Sequence, residues 1–156
     1  MNAVLPSTRA EPAPATPAHR LLVVANESCG PAVCDAVRAA AAEPAEILVI
    51  APALTKGRLE YWTGDLDAAE RDAREKLTRA LDALRGAGLA ARGHVGDPDP
   101  AQAIVDALHE FPADEIVIAT HPEERSNWLE RRVVARARGL GVPVTHVVVE
   151  PAAPGR

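Results

Sequence analysis

Hydrophobic positions along the chain fall into short, nearly unbroken runs separated by longer stretches of helical periodicity. Arg20 to Asn26 holds Leu21, Leu22, Val23, Val24 and Ala25, and Glu46 to Ala51 reads Glu-Ile-Leu-Val-Ile-Ala. Glu115 to Thr120 and Val142 to Val149 repeat that character, and Leu89 to Val95 does so more weakly. Runs that are apolar at every position, rather than at alternate ones, predict strands covered on both faces, as in parallel sheets.

The intervening segments read as helices. Pro31 to Ala42 is Ala-rich, and Asp65 to Arg85 carries one stripe of Leu66, Ala69, Ala73, Leu77, Ala80, Leu81 and Leu84. The other face of that long segment is charged, with Glu70 and Arg74, Asp72 and Lys76, and Glu75 and Arg79 four apart and the acid first. Such pairs stabilise a helix by a few tenths of a kcal/mol each, so this face is read as solvated. Gly86 and Gly88 close the helix, Pro100 to Glu110 makes a third and Asn127 to Arg138 a fourth. The βαβαβαβαβ order predicts one α/β domain, an open five-stranded parallel sheet joined by right-handed crossovers with helices on both faces.

Composition bounds the class. The chain has 156 residues, 47% hydrophobic and 25% charged, with a net charge of -5. That length buries roughly 70% of the unfolded surface, enough for one core without metal or disulfide staples. Mild acidity points away from nucleic acid or an anionic membrane as partner. The longest apolar run, Ala45 to Leu54, is broken by Glu46 and Pro52 and falls short of the roughly 20 residues needed to span a bilayer. With aromatics at 3%, the core must be Val, Ile, Leu and Ala. Cys29 and Cys34 form no C-x-x-C motif, and two thiols in a cysteine-poor chain suggest a reducing cytoplasm. Residues 1–18, with Pro6, Pro12, Pro14 and Pro17 among Ala, Ser, Thr and Glu, are expected to be a disordered tail, 19–150 the domain, and 151–156 a flexible C-terminus.

In open parallel sheets ligands bind beyond the carboxyl ends of the strands where the strand order reverses, so the loops after the strands hold the candidate chemistry. After the first strand comes Asn26-Glu27-Ser28-Cys29-Gly30-Pro31, a strand-to-helix turn with Pro31 at the first helical position. Asn26 and Ser28 place short polar groups there. After the third comes Gly96-Asp97-Pro98-Asp99-Pro100-Ala101-Gln102, in which Asp99 caps the next helix and Gln102 can reach back. Capping leaves Asp97 free to face the crevice or to serve as a turn residue. After the fourth comes Thr120-His121-Pro122-Glu123-Glu124-Arg125-Ser126-Asn127. Ser126 or Asn127 caps the fourth helix, and Arg125, Arg131 and Arg132 surround its start. Three guanidinium forks at a helix start suit phosphate or carboxylate oxygens; pairing with Glu123, Glu124 and Glu130 is the equal alternative. His121 has no nucleophile or carboxylate partner in a recognisable motif, and the five histidines show no metal-ligand spacing. Neither a dinucleotide fingerprint nor a P-loop occurs.

From about Arg20 to Glu150 the chain resembles the universal stress protein family. The likeness is carried by Leu21-Leu22-Val23-Val24-Ala25 running into Asn26-Glu27-Ser28, by Val95-Gly96-Asp97-Pro98 before Ala103-Ile104, by Asp114 to His121, and by Val142-Pro143-Val144-Thr145-His146-Val147-Val148-Val149. It is also similar to the small soluble domains that some actinobacterial amino-acid permeases carry at one end. The resemblance implies a universal stress protein-like sheet, of the adenine nucleotide alpha hydrolase-like kind, in the order 3-2-1-4-5. It also implies dimerisation, and ATP or AMP as the candidate nucleotide. Binders of the family have an acidic residue after strand one and G-x2-G-x9-G-[ST] after strand four. Here those positions are Asn26, then Ala119, Pro122, Arg132 and Val133, so every glycine is replaced and side chains obstruct the usual approach of phosphate to backbone.

The leading reading is a cytoplasmic, non-enzymatic regulatory or stress-response module that takes a small anionic ligand through Asn26, Ser28, Asp97, Thr120, His121, Arg125, Ser126, Asn127, Arg131 and Arg132, with no catalytic or metal residues. One alternative is an ATP or AMP binder with phosphates against Arg125, Arg131 and Arg132. The other is a nucleotide-hydrolysing or nucleotidyl-transfer enzyme of related fold, against which stand the missing H-x-G-H and S-G-G-x-D signatures. The fifth strand, an edge in the implied order, has Val142, Val144 and Val148 on one side and Val147 and Val149 on the other. An apolar, unpaired edge predicts a homodimer joined through Val144 to Val149.

Overall fold

The computed structural model describes residues 19–25, 31–41, 45–53, 66–120 and 128–148, with the side chains of 66, 120 and 128–131 left aside. The expectations for residues 1–18 and 151–156 lie outside this set. Nine elements follow in order: β1 (His19–Ala25), α1 (Pro31–Ala40), β2 (Ala45–Pro52), α2 (Leu66–Gly86), β3 (Arg92–Gly96), α3 (Pro100–Glu110), β4 (Glu115–Thr120), α4 (Trp128–Arg138) and β5 (Val144–Val148). The strands form one parallel sheet in the order β3-β2-β1-β4-β5.

Successive side chains on a strand alternate faces, so two cores form. Leu21, Val23 and Ala25 of β1 join Ile47 and Val49 of β2 and Val117 and Ala119 of β4 against Val33, Cys34 and Val37 of α1 and Ala80 and Leu84 of α2. On the other face Leu22, Val24, Leu48, Ile50, Ile116 and Ile118 meet Ala103, Ile104 and Ala107 of α3 and Val133, Val134 and Ala137 of α4. Apolar character at every position of the central strands is the consequence of being covered twice. Phe111, just past α3, is buried in the second core.

The predicted stripe of α2 faces the sheet: Ala69, Ala73, Ala80 and Leu84 are buried, with Leu77 and Leu81 packed beside them. On its outer side Glu70 and Arg74, and Glu75 and Arg79, pair at 3.9 Å. The helix ends in a Schellman motif: the Leu89 amide donates to Leu84 O at 2.9 Å and the Gly88 amide to Arg85 O at 3.0 Å. Gly88 adopts φ +82°, a conformation a side chain resists.

That turn explains one correction. Leu89 to Ala91, expected to open the third strand, lie outside it, and β3 starts at Arg92 opposite Leu48. Leu89 is apolar because it packs on the α1/α2 core after the turn. β5 begins at Val144, since Val142 packs on the α3/α4 core and the turn around Gly141, at φ +80°, uses the residues before it.

Candidate functional site

The reversal of strand order lies between β1 and β4. Val24 pairs with Ile118 and Ala25 with Ala119, after which the chain leaves β1 for α1 on one face and β4 for α4 on the other. In open parallel sheets ligands bind at the carboxyl edge where the connections from such adjacent strands diverge. The described floor of that edge is small and apolar: Ala25, Ala51 and Ala119 are buried, and Gly96 closes β3. A Cβ on Gly96 would stand 2.9 Å from Ala103 Cβ, so glycine lets α3 approach the end of β3 closely.

The loop after β3 is built from its own carboxylates. Asp99 caps α3, its Oδ1 accepting from the Ala101 amide at 3.0 Å with Pro100 at the first helical position, as the sequence predicts. Asp97 Oδ1 accepts from the Asp99 amide at 2.8 Å, so this carboxylate closes an Asx turn and leaves its other oxygen exposed beside the crevice. Gln102 does not reach back to the cap; its Nε2 donates to Asp106 Oδ1 at 2.8 Å, one turn on along α3. The Asp99 amide it would reach is already engaged by Asp97, and Asp106 lies one turn on along the same helical face.

Of the remaining candidates, Arg132 is exposed on the first half of α4. Its neighbour Val133 is buried in the α3/α4 core, so the position matching the hydroxyl of the G-x2-G-x9-G-[ST] motif serves packing here. Thr120 ends β4 and Arg131 lies in α4. Asn26, Ser28, His121, Arg125, Ser126 and Asn127 lie outside the described residues, as does Pro122. Ala119 is buried in β4, where the motif's first glycine would stand.

Cys34, on α1 against the first core, has its thiol pushed above the usual 9.0, chiefly by burial, with Arg38 lowering it and Asp35 raising it. It is therefore held as the protonated thiol at neutral pH. Among the described residues no group of three or more His, Cys, Asp or Glu is placed to hold a metal ion.

Sequence reasoning passed over the opposite, amino edge of the sheet. There Arg20 Nε lies 3.8 Å from Glu46 Oε2, and the guanidinium carbons of Arg20 and Arg92 stand 6.0 and 5.9 Å from the centre of the Phe111 ring. On the other face His19 lies 3.7 Å from oxygens of both Asp114 and Glu115, and Thr145 Oγ1 donates to Glu115 Oε1 at 2.8 Å. Arg20 and Asp114 further exchange bonds, Arg20 N to Asp114 Oδ2 at 2.8 Å and Asp114 N to Arg20 O at 2.7 Å. These groups tie β1 to β2, β4 and β5 at their starts.

Against known proteins, the model of the universal stress protein family matches residues 18–136. The chain belongs to the universal stress protein family. Its fold is similar to that of a universal stress protein from Archaeoglobus fulgidus at TM-score 0.58 and 20% identity, over 83% of this chain and 93% of that one. A structure of the Archaeoglobus fulgidus universal stress protein in complex with dAMP matches at TM-score 0.57 and 20% identity, over 83% and 97%. A member of the family from Burkholderia pseudomallei matches at TM-score 0.53 and 19% identity, over 87% and 100%. Comparison with curated proteins gives no match. The expected sheet order 3-2-1-4-5 is the observed one. Among the described residues no helix is long and apolar enough to cross a membrane.

Proposed function

We propose that this universal stress protein is a non-enzymatic, cytoplasmic regulatory module of the stress response that holds a small anionic ligand at the carboxyl edge between β1 and β4. The observation that carries the reading is the reversal at Ala25 and Ala119, with the arginine-bearing helix α4 the next element in the chain after β4. Ala25, Ala51 and Ala119 form the described floor of that edge. The cations at 125, 131 and 132 supply the attraction for the anion. Calorimetry with inorganic phosphate, AMP and Mg-ATP tests this. A phosphate-bearing ligand should bind, Arg131→Ala with Arg132→Ala should abolish it, and ATP should remain unhydrolysed. Turnover of ATP, or affinity unchanged in the double variant, would overturn the reading.

A second reading, an AMP- or ATP-binding member, is favoured by one observation: a protein of similar fold has been solved in complex with dAMP. The lost glycines and the buried Val133 weigh against the same phosphate pose. Low-micromolar affinity for Mg-ATP in that calorimetry would select this second reading.

The protein is further proposed to be a homodimer through β5. Among the described residues that strand pairs only with β4, and Val148 is 42% exposed. The opposite edge, β3, presents exposed Arg92, a charge of the kind that discourages edge pairing, and both edges expose a histidine, His94 on β3 and His146 on β5.

A further inference from the structure

A depression of 530 Å³, lined by Ala45, Glu46, Ile47, Ala90, Ala91 and Arg92, notches the sheet at the amino ends of β2 and β3. It exists because β3 starts three residues late, with Arg92 opposite Leu48, so Ala45, Glu46 and Ile47 have β1 on one side and no strand among the described residues on the other. Strand N–H and C=O groups alternate between the two sides, so at least one of these three residues points its backbone polar groups into the notch. No turn bond among the described residues closes that side.

The charges around the notch have opposite signs. By strand alternation Glu46 and Arg92 fall on the α3 face, while Ala45 and Ile47 fall on the other. Arg92 rests over the Phe111 ring and meets no carboxylate within ion-pair distance among the described residues, so its fork is held in place yet unspent. Glu46 meets Arg20 through Oε2 at 3.8 Å with both side chains about half exposed, a contact of little strength.

We propose that the notch binds a small zwitterion, its carboxylate on Arg92, its ammonium on Glu46, and an aliphatic body against Ala45, Ile47, Ala90 and Ala91. A free aliphatic amino acid is the simplest molecule of that class. The depression is open to solvent, and its lining sets one carboxylate and one guanidinium beside apolar residues. The site lies at the opposite edge from the anion crevice and does not rest on that reading.

The test is an amide NMR titration of the full chain with L-leucine, isocaproate, which lacks the ammonium, and isoamylamine, which lacks the carboxylate. Leucine should shift the amides of residues 45–47 and 90–92 saturably, and each truncated probe should bind at least roughly tenfold more weakly, the loss of one charge-assisted contact. Arg92→Gln should weaken leucine by a similar factor while the rest of the spectrum is kept. Absence of saturable shifts at these amides, or equal affinity for the three probes, overturns the proposal without recourse to any variant. AMP added separately should leave these amides unmoved.

Discussion

Glycine 93 sits where the sheet and α2 touch, and adding one methyl group there should cost more stability than any other glycine-to-alanine change in the described chain. A Cβ built at Gly93 would collide with the Val49 carbonyl oxygen of β2, stand 2.6 Å from Leu77 Cδ1, and come 3.2 Å from Val49 Cβ. Ordinary contact begins near 3.4 Å, so Leu77 must retreat by most of an ångström. The Val49 oxygen has less freedom, because Val49 is fully buried and paired on both sides, to Val23 and to Gly93 itself. Overpacking typically costs about 1–3 kcal/mol, and a backbone collision belongs at the upper end. Reduced freedom of the unfolded chain returns about 0.4–1 kcal/mol, leaving a net loss of about 2 kcal/mol. For a chain of this size that is a fall in Tm of roughly 4–8 °C. Gly86→Ala is the control of opposite sign, since nothing lies within 4 Å of its Cβ and it ends α2 in helical conformation. It should gain up to about 1 kcal/mol. Urea unfolding and calorimetry of the pair check both signs. A Gly93→Ala protein as stable as the parent would refute the close approach of α2 to β3 on which the packing argument depends.

Mg-ATP should move the melting temperature little, whereas a ligand at 100 times its dissociation constant adds about 2.7 kcal/mol; a rise of several degrees at low micromolar ATP would reject this. Val147→Pro removes a strand donor from β5 and should shift the protein to monomer in light scattering at tens of micromolar; a persisting dimer would reject β5 as the interface. Because burial raises the Cys34 pKa above its unfolded value, the stability it contributes is complete below the unfolded pKa and is lost as pH climbs through the folded one. Denaturation between neutral and alkaline pH should therefore show a decline above the ordinary thiol pKa that Cys34→Ser removes, and a slope unchanged by the substitution would contradict it.

What could be read from the sequence was whatever depends on local pattern. Leu21 to Ala25 and Ile116 to Ala119 announce covered strands because both faces of each are buried, and Asp99-Pro100 announces a helix start because cap and first turn are neighbours in the chain. Leu89 misled because an apolar residue after a Schellman turn looks like the first of a strand. Gln102 misled because Asp106 competes for it. The notch beside β2 could not be read at all, since it depends on the stagger of Arg92 against Leu48 and not on either segment alone. Of the candidate site, Asp97 was legible as a turn residue, while Arg132 and Val133 show how one position changes role: the motif hydroxyl's place became core once valine filled it.

The central claim is that a small anion sits at the carboxyl edge between β1 and β4. Its most direct test is an amide NMR titration of the full chain with inorganic phosphate, run on the parent and on the Arg131→Ala, Arg132→Ala double variant. The account predicts saturable shifts in the parent at Ala25, Asn26, Ala119, Thr120 and the first turns of α4, and their loss in the variant. Shifts confined to any other part of the sheet, or shifts at this edge that survive removal of both arginines, would contradict it.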